Sequence, residues 1–232
     1  MKLDLRLQRL QTGLFLRSID MSRKLGLAQD VVSAAANLLD ADPVLLPIPD
    51  DAPPGFPRVI FKNEDGNVSF RLSLNRADFR IRYEADGSAF SDQGVFEQYV
   101  SSLISVIVPI VESHKASFKR IGLIFDLLSG LQKSSNILIK DAFLQGAYFD
   151  NAHRIELSTL HRLQLVNFQA NRWLRLKSVR SRSDPADDLA VQVLLDMNTV
   201  PEEIYDIGIA EIEGFCKEAY KLANESIREF FG

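Results

Sequence analysis

The segment Arg172-Trp173-Leu174-Arg175-Leu176-Lys177-Ser178-Val179-Arg180-Ser181-Arg182 is the part of this sequence best equipped to hold another molecule. Side chains alternate across a strand. Trp173, Arg175, Lys177 and Val179 therefore share one face, and Arg172, Leu174, Leu176 and Arg180 the other. An aromatic ring set among cations on a sheet can stack on a base while the cations neutralise phosphates. Arg71, Arg80 and Arg82, on strands expected earlier in the chain, extend the patch. The candidate binding set is Arg172, Trp173, Arg175, Lys177, Arg180, Arg80 and Arg82. The competing reading of the same cations is a solvated sheet face paired with the acidic last helix or with a partner subunit.

Other chemistry is sparse. The histidines are His114, His153 and His161. His153 and His161 fall on one expected strand, about 26 Å apart if it is extended, which is too far to share a metal ion. Glu156 has the opposite parity. His114 closes a helix, where a cation favours the dipole. No G-x-x-x-x-G-K, G-x-G-x-x-G, G-x-S-x-G or H-E-x-x-H motif occurs. Asp187-Asp188 and Glu202-Glu203 begin expected elements, and Glu202-Glu203 starts a helix, where negative charge is favourable. Asp126, inside the apolar run Ile121 to Leu128, either faces solvent, pairs with a basic residue or is partly buried. Cys216 stands alone, so no internal disulfide or cysteine-zinc cluster forms. Beside Phe215 and Ala219 it reads as a small buried hydrophobe. The expectation is a protein without catalytic residues, metal or cofactor.

The elements that position these residues follow from periodicity. Residues 1–19 alternate as a strand, with a bulge near Gln8 or Arg9, because Leu3, Leu5 and Leu7 differ in parity from Leu10, Leu14 and Leu16. Leu27 to Leu39 is expected as a helix. Pro43 to Pro57 holds six of the nine prolines and reads as a stiff loop. Strands follow at Val59–Lys62, Val68–Leu74 and Phe79–Tyr83, with Asp65-Gly66 as a hairpin turn. Ser91 or Asp92 caps a helix running to about Ser113, kinked by Pro109. The second half then gives a strand at 118–128, a helix at 136–145 and strands at 154–166, 172–182 and 189–197. Thr199 and Glu202 have capping-box spacing before a last helix. Each half thus reads β-α-β-β-β-α. The fold class is α+β: two similar lobes, residues 1–114 and 115–232, with antiparallel sheets backed by long helices.

The formal net charge of −4 hides a division. From Ala152 to Arg182 six arginines and one lysine stand against Glu156 alone. From Asp184 to Gly232 twelve acids stand against three bases. The charged, leucine-alternating N-terminus does not read as a signal peptide. The longest apolar run, Ile104 to Val111, is far short of the roughly 20 residues that span a bilayer. A cytoplasmic protein that does not cross a membrane is the expectation.

Phe70-Arg71-Leu72-Ser73-Leu74, then Phe79-Arg80-Ile81-Arg82-Tyr83-Glu84, then a helix carrying Phe96 and Tyr99, resemble a widespread family of uncharacterised bacterial proteins. The resemblance implies the repeated plan and the long C-terminal helix, and transfers no activity. The element order is also similar to duplicated sheet-and-helix folds of the TATA-binding-protein type, a likeness of fold alone. The leading expectation is a non-catalytic interaction protein that binds a protein partner, or itself as a homodimer, through an exposed sheet face or edge. The alternative is a nucleic-acid-binding protein using the Arg172–Arg182 strand.

Overall fold

The computed structural model describes residues 3–49, 51–84, 88–131, 134–144, 152, 154–179 and 190–231. Strand β1 (Arg6–Ser18) carries the bulge that its leucines call for. Its register against β6 (Ser117–Gly130) shifts between Leu7 and Arg9, so Leu7 and Leu10 are both buried despite opposite parity. Helix α1 (Lys24–Ala34) is shorter than the pattern suggests and ends in turns, yet Leu39 beyond it is still fully buried. The proline-rich loop contains a two-residue strand, β2 (Val44–Leu45), and leads to β3 (Val59–Lys62), β4 (Val68–Leu72) and β5 (Arg76–Arg82). Gly66 takes φ 70° in the β3–β4 turn, a conformation open to glycine at no steric cost.

Helix α2 (Gln93–Glu112) starts where the Asp92 carboxylate accepts from the Gly94 and Val95 amides, and it includes Pro109. It alone among the described helices is long and apolar enough to cross a bilayer. Its apolar stripe, from Phe96 to Ile110, is buried in the core. The second half supplies α3 (Ser135–Phe143), β7 (Glu156–Leu165), β8 (Phe168–Val179), β9 (Ala190–Thr199) and α4 (Ile209–Phe231).

The expected capping box is corrected. Thr199 stays in β9, where its hydroxyl accepts from the Ile121 amide at 3.2 Å. Ile207 still bridges to Phe118, which holds the chain extended, and α4 begins only at Ile209. The Glu211 carboxylate accepts from the Gly208 amide at 3.1 Å and satisfies one of the free donors there. Strand β8 also begins earlier than expected, at Phe168, because the chain turns at Val166, whose φ is 55°.

The fold is mixed α+β. All nine described strands join in one antiparallel sheet of order β2-β3-β4-β5-β1-β6-β9-β8-β7. The four helices pack on one face. The core between sheet and helices is continuous, from Phe61 and Phe70 in the first half to Leu174 and Phe215 in the second. At its centre the Phe96 and Tyr220 rings stack 4.2 Å apart, joining α2 to α4, with Phe90 and Phe125 against them. Among the described residues, the sheet's other face bears no helix.

Candidate interaction face

Alternation decides which side chains reach the open face. The inward parity of β1 is Leu10, Thr12, Leu14 and Leu16; the outward one is Arg9, Gln11, Gly13 and Phe15. Pairing then sets the rows that run across the sheet. One row is Ser69, Arg80, Gln11, Ile124, Asp196, Trp173, Leu160. The next is Arg82, Arg9, Asp126, Leu194, Arg175, Ser158. On the other side runs Arg71, Asp78, Gly13, Gly122, Asn198, Asn171, Arg162.

The open face is basic. Leaving aside the two ends of β1, its strands present Lys62, Arg71, Arg76, Arg80, Arg82, Arg9, Arg120, Arg175, Lys177 and Arg162. Against these ten stand Asp78, Asp126, Asp196 and Glu156. All four acids are engaged by neighbouring side chains, Glu156 by Arg154 at 3.4 Å. Asp78 is held by Arg76 at 2.7 Å. Asp126 is held by Arg9 at 3.1 Å and by Gln192, and Asp196 by Asn198 at 3.0 Å. Asp126 thus meets two of its three sequence readings: it pairs with a basic residue and is partly buried. Among the described residues no carboxylate pairs with Arg71, Arg80, Arg82, Arg175 or Lys177.

The cations form two bands. The first lies on β4, β5 and β1. Burial, then the neighbouring guanidinium groups of Arg82, Arg71 and Arg9, pull Arg80 below the usual arginine range. Gln11, Ser69, Arg71, Arg76, Asp78 and Arg80 line a hollow of about 100 Å³ here. Phe15 lies between Arg76 and Arg120, whose guanidinium carbons stand 5.0 Å and 4.6 Å from its ring centre. The second band is on β8 and β7, where Arg175 lies over the Trp173 ring at 5.3 Å. Four strand spacings, about 19 Å, separate β5 from β8. Between the bands Gly13 and Gly122 face each other across β1 and β6, and Gly13 is buried, with the Arg76 guanidinium folded over it.

Of the candidate set, Arg80, Arg82, Trp173, Arg175 and Lys177 share the open face, divided between the two bands. Arg172 has the other parity and points toward the helices, donating to the Ser226 hydroxyl of α4 at 2.9 Å. Arg180 lies outside the described residues, as does His153. The acidic last helix sits behind the sheet, so the outward cations have no partner in it. Sequence reasoning missed Arg9, Arg76, Arg120 and Phe15. For Arg9 and Phe15 the signal was present, since the β1 bulge fixes their parity.

The sheet's two edges differ. Edge strand β2 has two residues between Pro43 and Pro47; edge strand β7 has ten residues, no proline, and Leu160 48% exposed. On the helical side a cleft of about 570 Å³ lies between α2 and α4. It is lined by Phe96, Tyr220, Lys217, Lys221 and Arg228 among others, with no histidine or cysteine in its described lining.

No protein-family model matches the chain, and a search of curated proteins finds no match.

Proposed function

We propose that this chain is a non-catalytic interaction protein that docks an acidic macromolecule on the open face of its sheet. The observation that carries this reading is the segregation of charge. In a chain of formal net charge −4, the strands of that face, the ends of β1 aside, present ten basic side chains against four acidic ones, and Glu202 stands beside Arg162 from the following loop. A face lined by one sign of charge steers and concentrates partners of the other. The test is capture on immobilised heparin, polyglutamate and polylysine at low salt, with wild type and the variant Arg80→Glu/Arg175→Glu/Lys177→Glu. Wild type is retained on at least one of the acidic matrices, and the reversed variant is not. Retention on polylysine alone, or equal retention of both proteins, overturns the reading.

A second reading, self-association into a homodimer, is favoured by the β7 edge. A ten-residue strand with unpaired backbone groups is a template for another strand. With two copies antiparallel about Thr159, Glu156 of each faces Arg162 of the other. Light scattering on size-exclusion eluate is expected to give a dimer, and Leu160→Pro a monomer. A monomeric wild type ends this reading and leaves the open face untouched.

The two halves, 1–114 and 115–232, are on this proposal similar lobes joined through β1 and β6. Support comes from the order β4-β5-β1 on one side of that junction and β6-β9-β8 on the other. The single, buried Cys216 suits a reducing cytoplasmic setting.

A further inference from the structure

The hollow between β4, β5 and β1 has the build of an oxyanion site. Ser69 and Gln11 line its base, and Arg71, Arg76 and Arg80 wall it. A Cβ on Gly13 would lie 3.0 Å from Arg76 Nη2, so the glycine is what lets that guanidinium fold over β1. Asp78, the carboxylate in the hollow, is already neutralised by Arg76. Arg71 and Arg80 are left without a carboxylate among the described residues, and Arg82 and Arg9 stand opposite each other one row away. Like charges held this close repel. An anion with several oxygens, accepting from two guanidinium forks at once, relieves that repulsion.

We infer that this hollow binds a phosphate group and that, through it, the open face takes the backbone of a nucleic acid. This rests on the open-face reading and names its partner. Three observations favour a polymer of phosphates over an acidic protein. Arg80 and Arg82 follow Arg76 along β5 at two-residue steps, about 6.8 Å each with Asp78 between, so the cations form a ladder and not a point. Phe15, in the row of Arg76, carries the guanidinium groups of Arg76 and Arg120 on its ring, which extends the line of cations from β5 across β1 to β6. The large exposed hydrophobics of the face, Val44 and Leu160, stand on its outermost strands, so no apolar anchor of the kind that dominates protein interfaces lies in the first band.

The test is fluorescence anisotropy of the full chain with labelled single-stranded DNA and RNA of about 20 nucleotides. Labelled polyglutamate is titrated in parallel, and inorganic phosphate serves as competitor against each bound probe. Four phosphate contacts predict binding roughly 50-fold weaker at 200 mM than at 50 mM salt. The variant Arg71→Gln/Arg80→Gln is expected to bind at least tenfold more weakly at 50 mM salt, with an unchanged melting temperature. Arg71→Lys/Arg80→Lys is expected to recover part of the loss, and Lys221→Gln/Arg228→Gln on α4 to change nothing. Nucleic-acid binding that ignores the double Gln variant overturns the hollow as the site. Binding of polyglutamate but not of DNA or RNA overturns the nucleic acid and leaves the open face standing. Phosphate that displaces bound polyglutamate, with no oligonucleotide binding, reduces the hollow to a small-anion site and overturns the polymer. Absence of binding to every polyanion overturns both this inference and the function it rests on.

Discussion

Thr12 on β1 and Tyr99 on α2 share a hydrogen bond of 2.8 Å between their hydroxyls, wholly inside the core. Tyr99 in turn donates to the Phe79 carbonyl, at 3.4 Å. The chain of donors ties the central strand to the longest helix of the first half. Tyr99→Phe keeps the ring and leaves the Thr12 hydroxyl only the Cys216 thiol as a side-chain partner. The expected loss is about 1–2 kcal/mol, read from urea denaturation. An unchanged midpoint would show that the hydroxyl pair contributes nothing.

Burial also makes the fold alkali-sensitive. It pushes Tyr99 well above the ordinary tyrosine range, Tyr83 up to about 12 and Cys216 up to about 12. These groups are neutral when protonated, and their folded values are raised. In the unfolded chain the thiol ionises near 9 and the phenols near 10, while the folded chain keeps those protons. Stability is therefore full below about pH 9 and falls as pH rises toward 12. Each such group steepens the slope by about 1.4 kcal/mol per pH unit. Urea midpoints measured from pH 7.5 to 10.5 check the direction, and Cys216→Ala flattens the earliest part of the fall. A midpoint that rises with pH contradicts the assignment.

Arg58 is 1% exposed, and its guanidinium donates to the carbonyls of Ile48, Pro49 and Ala52. A buried cation thus fastens the proline-rich loop to β3. Arg58→Ala is expected to cost about 2–4 kcal/mol and to open the loop to chymotrypsin at Leu45. Arg58→Lys rescues only in part, because an ammonium lacks the planar fork. Wild-type resistance to chymotrypsin in the alanine variant would argue that the loop is held by other contacts.

Arg172 and Arg175, three residues apart, answer to different assays. Arg172 bonds to Ser226 on the helical side, whereas Arg175 lies on the open face over Trp173. Arg172→Ala is expected to lower the melting temperature by a few degrees and to leave polyanion binding intact once the protein is folded. Arg175→Ala does the reverse. If the two variants behave alike, the assigned faces are wrong.

The features legible in the sequence are those fixed within a few residues. The β1 bulge follows from leucine parity, the β3–β4 turn from Asp65-Gly66, and the α2 start from Asp92. Parity also placed Trp173, Arg175 and Lys177 on one face. It could not give distance across the sheet, because that depends on strand order. Arg80 and Trp173 share a row yet lie four strands apart. Arg9, Arg76 and Arg120 join the first band only because β1 is placed between β5 and β6, a pairing of segments about a hundred residues apart in the case of β6. The Thr199 capping box failed for a similar reason. A distant strand claimed the hydroxyl through the Ile121 amide, and tertiary pairing outweighed a local signal.

The central position of β1 has a consequence for synthesis of the chain. Leu10 is translated early, but its neighbours in the sheet are Ile81 and Phe125. At ribosomal speed the second of these emerges on the order of 10 s after Leu10. For that interval the nascent polypeptide holds a leucine-rich ribbon whose flank has no companion, and this is when it is most open to chaperones and to premature association.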